Sequence, residues 1–297
     1  MKKYLYSIVL ATLILMSTTL VKASNEVYYT NRENIEMTEN EYNNLLGLGF
    51  TEKEIYRMDE TTFLENKDIQ GTVLSDQGKY LKQTTIMRNG IKTYRTEEIT
   101  EEEAMAEVEL QSQEPTRGPS GNYYDGIFAT TILYLKTKII GISNDYMRFK
   151  TDVQWLTMPS DRYNDIIGIG IEPAKVRIAS TIGFREDWVK TNNTFGYDLV
   201  CAPKIESSGG SAVFTLPSGS LSELESYIYF NVTKQTGVGT ITELYNSGNY
   251  AHATSNISIS DIFSNYHVYL NSLWIDPIYY ASYDKTTPVH ASFLGTW

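Results

Sequence analysis

Cysteine is nearly missing from this chain, since Cys201 is the only one among 297 residues. A single thiol cannot close an intramolecular disulfide, so the hydrophobic core must stabilise the fold. A nucleophilic cysteine needs a nearby histidine and an exposed, electropositive setting, yet the nearest histidine along the sequence is His252. The apolar flanks Leu199-Val200 and Ala202 are typical of a strand, which predicts a buried, inert thiol.

Histidine is also scarce, and His252, His267 and His290 do not have the spacing of metal ligands. The sequence contains no His-Glu-x-x-His, paired-cysteine or EF-hand motif, no Gly-x-Ser-x-Gly elbow and no Walker-type glycine loop. These absences predict no metal site, no cofactor and no catalytic residue. Carboxylates are common, so the pattern leaves a glycosidase-like pair of acids open.

Positive charge is under-represented, with 25 Lys and Arg against 36 Asp and Glu, which gives a net charge of −11. Such a balance repels phosphate backbones and anionic lipid surfaces. It argues against nucleic acid as a partner and against electrostatic docking on a membrane.

The chain has one largely apolar stretch, Tyr4–Met16 near the N-terminus, and no long hydrophobic run after it. That stretch is too short to span a bilayer, and no stop-transfer pattern follows it. Lysines precede it, and Val21-Lys22-Ala23 fits a cleavage site before Ser24. Residues 1–23 are therefore predicted to be a cleaved secretory signal. The mature protein is expected outside the cell, free or associated with the cell surface, with no membrane span.

Composition divides the remaining chain into two regions. Residues 111–122 are rich in Pro, Gly and Ser and have no large apolar residue before Tyr123, which is typical of a linker. Upstream, residues 24–110 are predicted to form a small α+β region with short helices, a hairpin at 80–96 and an acidic helix at 101–110. An alternative role of this region is a propeptide. Downstream, residues 123–297 are predicted to form a mainly antiparallel β-sandwich, so the overall fold class is α+β.

Local signals support the elements of the upstream region. A capping box, in which Thr is followed three residues later by Glu, predicts a helix start; such boxes begin at Thr38, Thr51 and Thr100. Asn89-Gly90 tolerates positive φ at both corners of a type I′ turn, which predicts the hairpin.

Period-two patterns dominate the downstream region. Apolar and polar residues alternate in Met147–Trp155, which predicts a strand with one buried face. About nine or ten strands at this spacing favour a sandwich. Gly168 and Gly170 interrupt an apolar strand and mark a bulge or a close backbone approach. Asn246–Asn249 is interpreted as a turn between two strands.

One segment carries a resemblance. Tyr146–Trp155, followed by Met158–Gly170, has a tryptophan strand, a Pro-containing turn with Arg and Asp, and then Ile-Gly-Ile. It resembles a set of secreted, uncharacterised proteins of Gram-positive bacteria. The resemblance covers mainly Tyr146–Gly170 and implies a bacterial, extracellular protein without implying an activity.

Three side chains are the candidate ligand-binding residues. Arg162 and Asp165 flank a turn, where they either pair with each other to fix the loop or face a ligand at the rim of the sandwich. Trp188 lies in a polar segment interpreted as a turn and is the best exposed aromatic candidate. Trp155 and Trp274 are expected in the core.

An extracellular β-sandwich with loops rich in Tyr, Asn, Asp and Trp favours a non-catalytic binding module. The expected partners are cell-wall polymer, a glycan or another protein, and the oligomeric state is left open. Two other functions also stay open. The alternating Thr and Ser of Val238–Ser260 fit a pore-forming hairpin, and a pair of carboxylates would support a polysaccharide hydrolase.

Overall fold

The computed structural model describes residues 26–88, 91–113 and 126–297. The predicted signal, Asn89-Gly90 and most of the predicted linker lie outside these residues. Contacts divide the chain into two compact units. Of the described residues, those up to Leu46 and Phe50–Ile69 form the helical unit, and those in Gly47–Gly49 and Gln70–Trp297 form the sheet unit.

Within the described residues, the helical unit consists of two short strands and three short helices. They are β1 (Tyr29–Thr30), β2 (Glu36–Met37), α1 (Glu39–Gly47), α2 (Glu52–Arg57) and α3 (Glu60–Asn66). The capping box at the start of α2 is formed: Glu54 N donates to Thr51 Oγ1 at 3.1 Å, and Thr51 N donates to Glu54 Oε2 at 2.7 Å. Asp59 caps α3 by accepting from Thr62 N at 3.0 Å. The local sequence therefore determines where these helices begin.

The sheet unit consists mainly of strands. In chain order they are β3 (Thr72–Arg88), β4 (Ile91–Ile99), β5 (Gly126–Gly141), β6 (Met147–Trp155), β7 (Asn164–Ile171), β8 (Val176–Ile178), β9 (Gly183–Lys190), β10 (Phe195–Asp198), β11 (Ala202–Glu206), β12 (Gly209–Thr215), β13 (Leu221–Lys234), β14 (Glu243–Ala253), β15 (Tyr266–Tyr269), β16 (Ser272–Ile275), β17 (Tyr283–Lys285) and β18 (Val289–Leu294). Its helices are α4 (Glu101–Gln113), α5 (Ile259–Phe263) and α6 (Pro277–Tyr280). Among the residues that the structure describes, no helix is long and apolar enough to cross a membrane.

These strands form two large antiparallel sheets and one separate hairpin. The eight-stranded sheet has the order β10-β9-β13-β6-β5-β3-β4, with β8 also paired to β13. The six-stranded sheet has the order β11-β12-β7-β14-β17, with β18 also paired to β14. β15 and β16 pair only with each other among the described strands.

The two large sheets share one apolar core. Phe149 and Phe230 of the eight-stranded sheet lie in the same buried cluster as Ile167 and Tyr250 of the six-stranded sheet. Trp155 Nε1 donates to the Tyr250 hydroxyl at 3.2 Å, which joins the sheets across their interior. The predicted fold class is therefore confirmed: an α+β chain with a mainly antiparallel sandwich.

The β3–β4 hairpin belongs to the eight-stranded sheet, whereas the sequence groups it with the N-terminal helices. Arg88 pairs with Ile91, and the predicted turn residues Asn89-Gly90 between them lie outside the described residues. β3 also pairs with β5 along most of its length, from Thr72 opposite Gly141 to Met87 opposite Gly126. These hydrogen bonds join residues far apart in sequence, so a local shift of composition does not reveal them. α4 also runs past residue 110, to Gln113.

The predicted turn at Asn246–Asn249 is wrong, because these residues lie inside β14. That strand pairs with β7 on one edge and with β17 and β18 on the other. The amide nitrogens of both asparagines are nevertheless hydrogen-bonded: Asn246 Nδ2 donates to Lys138 O at 3.0 Å, and Asn249 Nδ2 donates to Ser247 Oγ at 3.0 Å. A Cβ at Gly248 would lie 2.9 Å from the Thr151 methyl group, so glycine gives room for the facing sheet.

Candidate functional site

Arg162 and Asp165 do not pair with each other. The Arg162 guanidinium donates to three backbone carbonyls, those of Pro159 at 3.3 Å, Pro217 at 3.4 Å and Gly219. It thereby fixes the loop after β6 to the loop after β12. Asp165 follows the inward-facing parity of β7 and is fully buried, so it does not take the rim position that the sequence suggested, whereas Arg162 is half-buried in the loop before β7.

Trp188 lies on β9 and not in a turn. Its ring covers Gly196 of the edge strand β10, where even a Cβ would clash with the indole. The residue is half-buried against the core, and its buried Nε1 has no hydrogen-bond partner among the described residues. The Lys190 ammonium lies 5.1 Å from the ring centroid. Trp188 therefore helps to close the sandwich edge, which its polar sequence neighbours did not indicate.

Asp165 is the centre of a buried hydrogen-bond network. Its carboxylate accepts from the Tyr250 hydroxyl, from His252 Nδ1 at 3.0 Å and from Ala253 N at 2.8 Å. Because a carboxylate only accepts, Nδ1 of His252 carries the proton. Trp155 packs edge-on against the His252 ring, with the centroids 5.0 Å apart. The network thus connects both sheets through side chains that the sequence places on separate strands.

Further titratable groups lie near this network. Burial, with the charges of Asp165, Asp198 and Asp187, raises the pKa of Glu186 to about 9. Burial also raises the pKa of Asp284, whose carboxylate accepts from Thr96 Oγ1 at 2.8 Å.

Burial opposes protonation of His252, but the Asp165 carboxylate outweighs it and raises the pKa of the imidazole. His252 is only 3% exposed, so it offers no reactive surface. Its contact with Trp155 makes it part of the link between the two sheets.

Other candidate chemistry is limited in the part of the chain that the structure describes. No group of three or more His, Cys, Asp or Glu side chains there could hold a metal ion. Burial raises the pKa of Cys201 to about 11, so its thiol stays protonated and unreactive near neutral pH.

The exposed face of the β15–β16 hairpin is the candidate functional site. Tyr266 and Val268 point into a second apolar cluster, and alternation therefore turns His267 and Tyr269 outward. Trp274 stands directly opposite His267, at 5.4 Å between ring centroids, and Tyr269 is 6.3 Å from His267. We call His267, Tyr269 and Trp274 the aromatic platform. Trp274 is 41% exposed and Tyr269 45%, which places on the surface a tryptophan expected in the core.

Two glycines of β7 explain how the hairpin is held. A Cβ at Gly168 would lie 2.7 Å from Val268 Cγ2, and a Cβ at Gly170 would clash with the backbone carbonyl of Tyr269. The close backbone approach anticipated at these glycines is therefore present. Only glycine allows the hairpin to lie this close to the outer face of the six-stranded sheet.

The platform has a fixed polar partner in Glu206 at the end of β11. His267 Nδ1 lies 2.7 Å from Glu206 Oε1, and Lys204 Nζ lies 3.2 Å from the same oxygen. The Lys204 ammonium also donates to Tyr266 O and lies over the Tyr266 ring. This network orients the imidazole while its Nε2 edge and the rings of the platform stay accessible.

Sequence reasoning missed the platform because it treats Tyr266–Trp274 as one strand. The structure has two strands separated by Leu270-Asn271, so Trp274 falls on the same outer face as His267. Asn271 was the available signal for a turn, but it stands without Gly or Pro.

Comparisons with known proteins yield no family. No protein-family model and no curated protein matches the chain. Among solved structures, the C-terminal domain of the Streptococcus agalactiae AgI/II polypeptide BspA aligns with a TM-score of 0.28 and 7% identity, over 74% of this chain and 80% of that domain. A second structure, titled BspA_C_WT, gives a TM-score of 0.29 and 8% identity over 72% and 84% of the two chains. Likeness at this level supports no conclusion about function.

Proposed function

We propose that this chain is an extracellular, non-catalytic binding module that holds its ligand on the aromatic platform. The exposed group of Trp274, His267 and Tyr269 is the observation that carries the proposal. Aromatic rings combine a large apolar contact area with a polar edge, and their low conformational entropy favours binding. The hairpin is anchored by a buried apolar face, so the platform is preorganised.

This location differs from the one suggested by the sequence. Asp165 is enclosed in the sandwich, and the guanidinium of Arg162 is occupied by backbone carbonyls. Trp188 offers only part of its ring beside β10. Trp274 and Tyr269 of the platform are exposed, whereas Trp188 is half-buried, so the platform is the better aromatic surface for a ligand.

The alternative functions receive less support. The proposed pore-forming hairpin includes β14, whose central residues pair with a strand on each edge. Releasing it would break the six-stranded sheet. A hydrolase would need carboxylates that reach a substrate, whereas Asp165 and Glu186 are buried.

The test is co-sedimentation of the mature protein with purified cell-wall polymer and, in parallel, with liposomes. We expect retention by the polymer and loss of retention in Trp274→Ala. Tyr146→Ala, which removes a similarly exposed ring outside the platform, is the matched control. Equal retention of Trp274→Ala and the parent protein, or loss only in Trp188→Ala, would contradict this site. Retention by liposomes with oligomer formation would favour the pore-forming function.

A further inference from the structure

We infer that the ligand of the aromatic platform is a neutral glycan chain, with neighbouring pyranose units lying on neighbouring rings. The inference rests on the proposed function and specifies its ligand class. Three features of the described residues carry it: the spacing of the rings, the charge around them and their free polar edges.

The first feature is the spacing of the rings. Trp274 stands across the hairpin from His267, and Tyr269 follows two residues after His267 on β15, with centroid separations of 5.4 and 6.3 Å, each about the length of one sugar ring. Their planes turn by 35° and 40° between neighbours. A rigid planar ligand could not lie on all three faces. A chain of separate saturated rings joined by rotatable linkages can follow such a turn.

The chemistry of a pyranose also suits these faces. The face of an aromatic ring carries negative charge density, and the axial C–H groups of a sugar ring are weakly positive. Stacking then leaves the equatorial hydroxyls at the rim of the ring, where they can reach polar groups beside the platform.

The second feature is charge. Glu206 lies beside His267, and its neighbour Lys204 is already engaged with Glu206 and with Tyr266 O. The Lys204 side chain is only 14% exposed, so its ammonium offers little surface to an anionic ligand. With a net charge of −11 for the whole chain, a phosphate- or carboxylate-bearing polymer would be repelled.

The third feature is the set of free polar edges. Because His267 Nδ1 is engaged with the Glu206 carboxylate, Nε2 is the polar edge of the ring that remains for a sugar hydroxyl. The indole N–H of Trp274 is a donor, and the Tyr269 hydroxyl can donate or accept. Such a mixture matches hydroxyl groups, which both donate and accept.

The experiment is isothermal titration of the mature protein with soluble oligosaccharides. Neutral β-1,4-linked glucose oligomers of increasing length are compared with oligogalacturonate of the same lengths. We expect affinity for the neutral series to rise until about three units are present and then to level off, with much weaker binding of the uronate series. Trp274→Ala should weaken binding at least about tenfold, as is typical when an aromatic hot-spot contact is removed. Glu206→Gln should weaken it less, and Tyr146→Ala should leave it unchanged.

The outcomes separate this inference from the proposed function. If wall polymer is retained through Trp274 but the uronate series competes for it and the neutral series does not, the neutral-glycan inference is wrong and the binding module stands. If a neutral oligomer binds equally well to Trp274→Ala, the platform is not the site and both proposals fail. Circular dichroism of each variant checks that a loss of binding does not reflect unfolding.

Discussion

At the scale of single residues, the sandwich buries polar groups whose desolvation cost is offset by the hydrogen bonds between them. Asp165 is buried with three donors around its carboxylate, and His252 is buried against it. A buried charge that loses its partner retains its desolvation cost without compensation. These residues therefore contribute to stability mainly as a connected set.

Replacing Asp165 by Asn should show this dependence. The variant keeps the shape of the side chain but removes the negative charge opposite His252. We expect the free energy of unfolding to fall by about 3–5 kcal/mol, the usual effect of breaking a buried pair. Urea denaturation measures it. Asp145→Asn, a change in an exposed loop, should stay within about 0.5 kcal/mol of the parent protein.

Glu186 should make stability depend on pH. Its pKa is raised from 4.5 to about 9 in the folded protein, so the folded state binds more protons than the unfolded state between these values. Stability is then greatest below about pH 5 and falls as the pH rises towards 9, by at most about 1.4 kcal/mol per pH unit for one group. The raised pKa values of His252 and Asp284 act in the same direction.

Glu186→Gln isolates the contribution of this one group. The amide resembles the protonated acid, so the variant and the parent protein should unfold at nearly the same urea concentration at pH 5. At pH 8 the variant should be the more stable of the two. A parallel pH dependence of both proteins would show that Glu186 is not the titrating group.

At the scale of elements, the functional surface depends on how one hairpin is seated. Four side chains on its inner face pack against the outer face of the six-stranded sheet: Tyr266, Val268, Leu273 and Ile275. The glycines of β7 remove the side chains that would otherwise hold the two backbones apart. A strand that looks merely apolar in sequence thus positions the platform.

Gly170→Ala tests this seating. The added Cβ would clash with the Tyr269 carbonyl, and we expect a loss of about 1–3 kcal/mol in stability together with weaker ligand binding. Gly239→Ala is the control, because no atom lies within 4 Å of the Cβ built there. Equal stability of the two variants in urea denaturation would contradict the close approach.

At the scale of the whole molecule, the sheets are built from pairings between distant segments. β6 pairs with β13, and β7 pairs with β12 and β14. Each pairing requires a long loop to close before its hydrogen bonds form, and such topologies fold slowly. Because the paired strands are far apart in sequence, local sequence patterns do not reveal which strands pair.

We expect refolding from urea on the order of milliseconds to seconds or slower, as for other chains dominated by non-local strand pairs. Stopped-flow fluorescence can follow it, since Trp155 becomes buried in the core. Complete recovery of fluorescence within microseconds would be inconsistent with this topology.

The sequence by itself determined the local features of this protein. The capping box at Thr51, the hairpin register around Asn89-Gly90, the strand Met147–Trp155 and the close approach at Gly168 and Gly170 all follow from nearby residues. Capping, turn preference and side-chain alternation act over a few positions, so they can be read from them. The α+β sandwich follows from the same patterns taken together.

The tertiary structure decided which residues meet. The pairing of β14 with β7 brings His252 to Asp165. The seating of the β15–β16 hairpin turns Trp274 outward. The pairing of β9 with β10 places Trp188 over Gly196. Burial of a side chain depends on what packs against its strand from elsewhere in the chain. Local sequence cannot specify that neighbour, because the packing energy belongs to contacts between segments that are far apart.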